Sequence, residues 1–115
     1  MADDIESSPI EIPCRRVHEK LVAGAKLLLL DCREPMEYEL VHLPDATLLP
    51  MDEIPARIGE LEPHRAQEII VYCHLGIRSL HVATWMREQG FPQAKSMIGG
   101  IEQWAQEIDR SLARY

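Results

Sequence analysis

A thiol, a glycine and a guanidinium lie within six residues of one another in the segment VYCHLGIRSL, which covers residues 71–80. Cys73 ends a strand-like run, and Gly76 and Arg78 follow on a short turn. A cysteine acts as a nucleophile in its thiolate form. A glycine suits a turn that needs positive φ or a close backbone approach, and an arginine carries a permanent positive charge. The segment therefore predicts a reactive sulfur in a turn that stabilises anions.

The chain contains three cysteines, without a Cys-x-x-Cys motif or the spacing of a metal site. No metal ligand set is predicted, and the thiols are expected to be free in a reducing cytoplasm. Inert packing is the prediction for Cys14 and Cys32, because a free cysteine behaves as a small hydrophobe. Cys73 is predicted to be reactive because a strand end, a glycine turn, an arginine and a helix start coincide there.

Strand and helix patterns alternate on both sides of this segment. Short apolar runs predict strands at LLLLD (27–31), 46–49, EIIVYC (68–73) and 95–98. The first predicted helix runs from Pro13 to Gly24 and has an apolar stripe of Val17, Leu21 and Val22. Two shorter helices are predicted from Pro35 onward and around Pro55. A fourth helix runs from Arg78 or Ser79 to a left-handed cap at Gly90, and the last one is amphipathic, with apolar positions at Ile101, Trp104, Ala105 and Ile108.

This alternation over so short a chain indicates a parallel sheet with helices on both faces. Residues 10–115 are expected to form this single α/β domain, and residues 1–9 a loose tail. In such sheets ligands bind beyond the carboxyl ends of the strands. Cys73 is expected at such an end, where converging backbone N–H groups, the start of the next helix and the Arg78 charge favour the thiolate.

Composition narrows the class of protein. The chain of 115 residues is 46% hydrophobic, which is typical of a folded domain. Its net charge of −7 argues against nucleic acid and anionic membranes as main partners. No apolar run approaches transmembrane length, and the first residues, MADDIESSP, are acidic and polar, unlike a signal peptide. A cytoplasmic location is expected.

Three segments resemble the signatures of one known family. LLLLDCREPMEYELVHLPDATLLP is similar to its first signature, IIVYCHLGIRSLHVATWMREQGF to its active-site strand, loop and helix, and SMIGGIEQW to its closing segment. The order is also that of the family. The chain therefore resembles a single-domain rhodanese, a sulfurtransferase, over nearly all of its length. The resemblance implies a five-stranded parallel sheet between helices.

The resemblance also implies a reaction. Cys73 matches the cysteine that takes a sulfane sulfur from a donor and carries it as a persulfide, until a thiophilic acceptor such as a thiol or cyanide removes it. The matching active-site loop, whose amides would hold the outer sulfur, consists of Cys73, His74, Leu75, Gly76, Ile77 and Arg78. Arg78 would attract an anionic donor such as thiosulfate. Asp31 and Arg33 match a signature pair that would brace the site. No cofactor is expected.

Departures from the family pattern leave the donor open. Val41-His42-Leu43-Pro44-Asp45-Ala46 lacks two glycines that the family usually has, which suggests an altered turn there. His74 and Leu75 replace basic residues of dedicated thiosulfate:cyanide enzymes. A protein persulfide or a small thiol persulfide is therefore as plausible a donor as thiosulfate. His42 and His74 are expected to be structural, although each could titrate near neutral pH.

Three other functions compete with sulfur transfer. Phosphatases and arsenate reductases on rhodanese-like folds use a longer loop, whereas only four residues separate Cys73 from Arg78 here. Non-catalytic binding modules of this fold usually lack the cysteine that this chain keeps. A redox-sensing thiol would need a resolving partner, for which Cys32 would have to approach Cys73 in space. Sequence leaves the oligomeric state unspecified.

Overall fold

A computed structural model of the protein describes residues 9–115 and contains a five-stranded sheet. All pairings are parallel, and the strand order is β1-β5-β4-β2-β3. The strands are β1 (Glu11–Pro13), β2 (Leu27–Asp31), β3 (Thr47–Leu48), β4 (Glu68–Tyr72) and β5 (Ala94–Ile98). The predicted five-stranded parallel sheet is thus confirmed. The predicted tail, apart from Pro9, lies outside the described residues.

Helices cover both faces of the sheet. They are α1 (Cys14–Val22), α2 (Pro35–Leu40), α3 (Ile54–Arg57), α4 (Ile77–Glu88) and α5 (Gly100–Glu107), with 3-10 turns at Met51–Glu53 and Ile58–His64. Alternate side chains of each central strand enter opposite cores, as the pleat of a strand requires. Leu30 and Val71 pack with α4, whereas Leu29 and Ile70 pack with α1 and α5. None of the helices in residues 9–115 is long and apolar enough to cross a membrane.

The N-terminal part of the domain differs from the sequence prediction. Pro13 was predicted to begin a helix, but it is the last residue of β1, and α1 begins at Cys14. A three-residue edge strand that pairs only with distant β5 has no local periodicity to reveal it. The predicted apolar stripe of α1 is also partly wrong, since Val17 is buried but Val22 is 74% exposed.

The centre of the sheet sets the geometry of the Cys73 region. β2 and β4 pair from Leu27↔Glu68 to Asp31↔Tyr72. The pairing continues one step further, because Cys32 N–H donates a hydrogen bond of 3.1 Å to the Tyr72 carbonyl. Cys32 and Cys73 therefore follow directly on two aligned neighbouring strands.

Candidate active site

The sulfur of Cys73 lies where β4 ends and α4 begins, and the residue is 1% exposed. The backbone N–H groups of Gly76 and Ser79 point at Sγ, with nitrogen–sulfur distances of 3.1 and 3.3 Å. Gly76 has φ +103°, and a Cβ at this position would lie 3.0 Å from the backbone nitrogen of Gly99. The turn therefore needs glycine both for its conformation and for the close approach of another backbone segment.

Two buried serines extend the polar contacts of the sulfur. Ser79 Oγ lies 3.4 Å from Cys73 Sγ and 2.7 Å from Ser96 Oγ on β5. When Cys73 is a thiolate, the Ser79 hydroxyl must be the donor to sulfur, and its oxygen is then free to accept from Ser96. Sequence reasoning used Ser79 only as a possible helix start and did not single out Ser96, because the pair forms across α4 and β5.

Among the neighbours of Cys73, Cys32 has the largest effect on the pKa of the thiol. A hydrogen bond from the Cys32 thiol is the first cause that lowers the pKa of Cys73, to about 5; burial opposes the shift, and Ser79 and the two amides support it. The same contact raises the pKa of Cys32. Cys32 is fully buried in the hydrophobic core, as the packing prediction expects, and its thiol also contacts Cys73. The sequence signal for this contact was the equal placement of two cysteines, each immediately after an apolar strand.

Arg78 is paired with a carboxylate on α2. Its Nη1 and Nη2 donate to Glu37 Oε1 and Oε2 at 2.9 and 3.0 Å. This contact is the first cause that lowers the pKa of Glu37, to about 2. Arg78 interacts electrostatically with Cys73, as expected, but the main causes that lower the pKa of Cys73 are hydrogen-bond donors. Glu37 lies in the first signature segment, but its pairing with Arg78 was not predicted, because 41 residues separate the two.

Asp31 and Arg33 form a fully buried ion pair at the end of β2. Arg33 Nε and Nη2 donate to the two carboxylate oxygens of Asp31 at 2.8 and 2.6 Å. The Tyr72 hydroxyl donates to the same carboxylate at 2.8 Å, and Arg33 Nη2 also reaches the carbonyl of Val41 at 2.7 Å. The pair thus ties β2, β4 and the segment after α2 together, which suits the bracing role that the resemblance implies.

In the Cys73 loop, residues 73–78, two apolar side chains face outward, whereas His74 is partly buried. Leu75 and Ile77 are 56% and 68% exposed. The His74 ring stacks on Tyr115, with 4.0 Å between the ring centroids, whereas His42 stacks on Tyr38. The altered turn contains Asp45 with φ +64°. Among residues 9–115, no cluster of three or more His, Cys, Asp or Glu could hold a metal ion.

Comparison with known proteins identifies the family of this chain. The family model of the rhodanese-like domain matches residues 15–107. A sulfurtransferase of Allochromatium vinosum is 34% identical over 95 residues, which are 83% of this chain and 87% of that protein. The probable adenylyltransferase/sulfurtransferase MoeZ of Mycobacterium tuberculosis is 31% identical over 101 residues, which cover 88% of this chain but only 26% of MoeZ.

A solved structure shares the architecture. The crystal structure of a rhodanese-related protein from Thermoplasma volcanium is 26% identical and superposes with a TM-score of 0.76, over 85% of this chain and 92% of that one. The chain belongs to the rhodanese-like domain family, and its relatives include sulfurtransferases.

Proposed function

We propose that this protein is a sulfurtransferase that carries a sulfane sulfur as a persulfide on Cys73. The observation that carries the proposal is the set of donors around Sγ: two backbone amides and the Ser79 hydroxyl. With a pKa of about 5, Cys73 is a thiolate at neutral pH and is ready to attack sulfur.

The transfer has two steps. In the first, the Cys73 thiolate attacks the outer sulfur of a donor, a new S–S bond forms, and the S–S bond of the donor breaks as its remainder leaves with the electron pair. Sulfite leaves when the donor is thiosulfate, and a thiolate leaves when it is a persulfide. In the second step an acceptor, either a thiol or cyanide, attacks the outer sulfur and releases the Cys73 thiolate. The loop amides can serve as donors to the outer sulfur as well.

The surroundings of Cys73 favour a persulfide donor over thiosulfate. An anionic donor that approaches Arg78 must compete with Glu37, which already binds both terminal nitrogens of the guanidinium. Leu75 and Ile77 offer exposed apolar surface beside the site, which suits the organic part of a small thiol persulfide or a partner protein that carries one. Three free cysteines fit a reducing compartment such as the cytoplasm.

Intact-mass measurement tests the proposal. Reduced protein incubated with thiosulfate or with cysteamine persulfide should become one sulfur atom heavier, and peptide mapping should place that sulfur on Cys73. Cyanide or a small thiol should remove it. Cys73→Ser should abolish the gain, whereas Cys14→Ser, which alters a buried thiol on the other face of the sheet, should keep it. An unchanged mass with both donors would refute sulfur transfer.

Redox sensing is the second candidate, because Cys32 lies against Cys73. A hydroperoxide would oxidise the Cys73 thiolate to a sulfenic acid, which the Cys32 thiol would attack to form a disulfide and release water. The neighbouring positions on aligned strands suit disulfide geometry. Treatment with peroxide should then make the protein two hydrogen atoms lighter, and Cys32→Ser should accumulate sulfinic acid instead. Absence of a Cys32–Cys73 disulfide would remove this candidate.

A further inference from the structure

Tyr115 makes contacts that link the Cys73 loop to both ion pairs of the site. Its ring stacks on His74, with centroids 4.0 Å apart and planes 11° from parallel. Its hydroxyl accepts a hydrogen bond from Arg33 Nη1 at 2.8 Å and donates one to Glu37 Oε2 at 2.7 Å. A single side chain thus touches the residue next to Cys73, the buried Asp31–Arg33 pair and the Glu37–Arg78 pair.

The contacts of Tyr115 fix the direction of its hydrogen bonds. Arg33 is fully charged and can only donate, so the hydroxyl oxygen of Tyr115 must accept from it. The pKa of Tyr115 is raised to about 12, first by burial, so the hydroxyl keeps its proton at neutral pH. The hydroxyl can therefore donate its proton in a hydrogen bond to Glu37. The hydrogen bond from Arg33 fixes the position of the hydroxyl oxygen.

Glu37 is held on Arg78 from several directions. Its carboxylate accepts two bonds from Arg78, one from Tyr115 and one from its own helix start, the Glu34 N–H at 2.9 Å. A carboxylate has about four good acceptor positions, so this set saturates it. A carboxylate that is restrained in this way keeps the guanidinium opposite it neutralised. An incoming anion gains little from a cation whose charge is already compensated.

We propose that Tyr115 is a positioning residue that sets the charge preference of the donor site, because it holds Glu37 on Arg78 and so disfavours dianionic donors. The proposal concerns access of anions to Cys73, and its application to sulfur donors rests on the proposed sulfurtransferase function. A purely structural role would predict a uniform loss of reactivity when Tyr115 is altered. A positioning role predicts a gain for anions.

Alkylation of Cys73 tests the charge preference without any sulfur transfer. Iodoacetate and iodoacetamide carry the same leaving group, but only iodoacetate is an anion. Tyr115→Phe keeps the ring on His74 and removes the hydroxyl, so the ratio of the iodoacetate rate to the iodoacetamide rate at Cys73 should rise about threefold, the effect of one hydrogen bond of ordinary strength. Glu37→Gln, which removes the compensating charge itself, should raise the ratio further.

Tyr38→Phe is the matched control. Tyr38 also lies on a histidine ring, that of His42, but its hydroxyl contacts the carbonyl of Ala46 at 3.4 Å instead of Glu37. The ratio should not change in this variant. Peptide mapping restricts the measurement to Cys73. An unchanged ratio in Tyr115→Phe, or equal losses with both reagents, would overturn the proposal.

Sulfur donors provide the second arm of the experiment. Thiosulfate is a dianion, whereas cysteamine persulfide, with an ammonium group and a persulfide anion, has no net charge. In Tyr115→Phe the KM for thiosulfate should fall relative to the KM for cysteamine persulfide. If the unmodified protein takes sulfur from neither donor, the sulfurtransferase function fails, and the alkylation ratio still decides the role of Tyr115.

Discussion

At the scale of single residues, the lowered pKa of Cys73 comes from hydrogen-bond donors more than from a neighbouring cation. Gly76 and Ser79 supply amides, and Cys32 supplies a thiol that becomes harder to ionise as Cys73 becomes easier. Two adjacent thiols thus share one negative charge unequally. The arrangement favours the thiolate form at Cys73 and the thiol form at Cys32.

The pH dependence of alkylation follows from this arrangement. The folded pKa of about 5 lies below the ordinary value of 9.0, so the thiolate forms as the pH rises through 5. The rate at Cys73 with iodoacetamide should therefore increase up to about pH 6 and stay level through neutral pH. Cys32→Ala removes the main donor and should shift the midpoint upward by about one pH unit, the equivalent of one hydrogen bond to a charged group. A midpoint near that of free cysteine in the unmodified protein would contradict the assigned donors.

The buried ion pair also makes a residue-scale prediction. Asp31→Asn leaves Arg33 buried without its counter-charge, so we expect a loss of about 3–5 kcal/mol in the free energy of unfolding. Urea denaturation measures this loss. Arg57→Ala breaks an ion pair with Glu53 that is exposed to solvent, and the urea midpoint should barely move. Equal midpoints for both variants would show that the Asp31–Arg33 pair does not brace the domain.

At the scale of elements, the turn between β4 and α4 depends on Gly76. Gly76→Ala would force an alanine to φ +103° with its Cβ against Gly99, at a cost of about 1–3 kcal/mol. The same change should slow sulfur transfer, because the Gly76 amide would leave the sulfur. Gly59→Ala is the matched control, since a Cβ at that position meets nothing within 4 Å. Unfolding midpoints and transfer rates of the two variants measure the difference.

Loop length provides a second test at this scale. Four residues separate Cys73 from Arg78, and the amides already converge on a single sulfur atom. The protein should therefore not hydrolyse aryl phosphates at a useful rate. One residue inserted after Gly76 should weaken sulfur transfer, because the amides would no longer point at Sγ. Robust hydrolysis of p-nitrophenyl phosphate by the unmodified protein would show that the loop accepts phosphate.

At the scale of the whole molecule, sequence reasoning succeeded where the signal was local. The apolar runs LLLLD and EIIVYC predicted the two central strands, and the Gly76 turn predicted where Cys73 lies relative to them. It failed where a partner comes from far along the chain. The β1 strand, the Cys32 contact and the Glu37–Arg78 pair all form between distant segments, and no periodicity marks such pairs.

Tyr115 is the clearest example of this limit. Its two hydrogen-bond partners and its stacking partner lie between 41 and 82 residues away in the chain, in three different segments. A single aromatic residue carries no pattern that would point to them. Only the folded chain brings the ring to the Cys73 loop.

The burial of Cys73 has a consequence for the proposed sulfur transfer. Cys73 is 1% exposed, so a donor or an alkylating reagent has only a narrow approach to Sγ. An added sulfur lies about 2 Å beyond Sγ, the length of one S–S bond. We expect the carried atom to lie nearer the surface than Sγ. We therefore expect an acceptor to contact the outer sulfur of the loaded protein more easily than Sγ of the unloaded one.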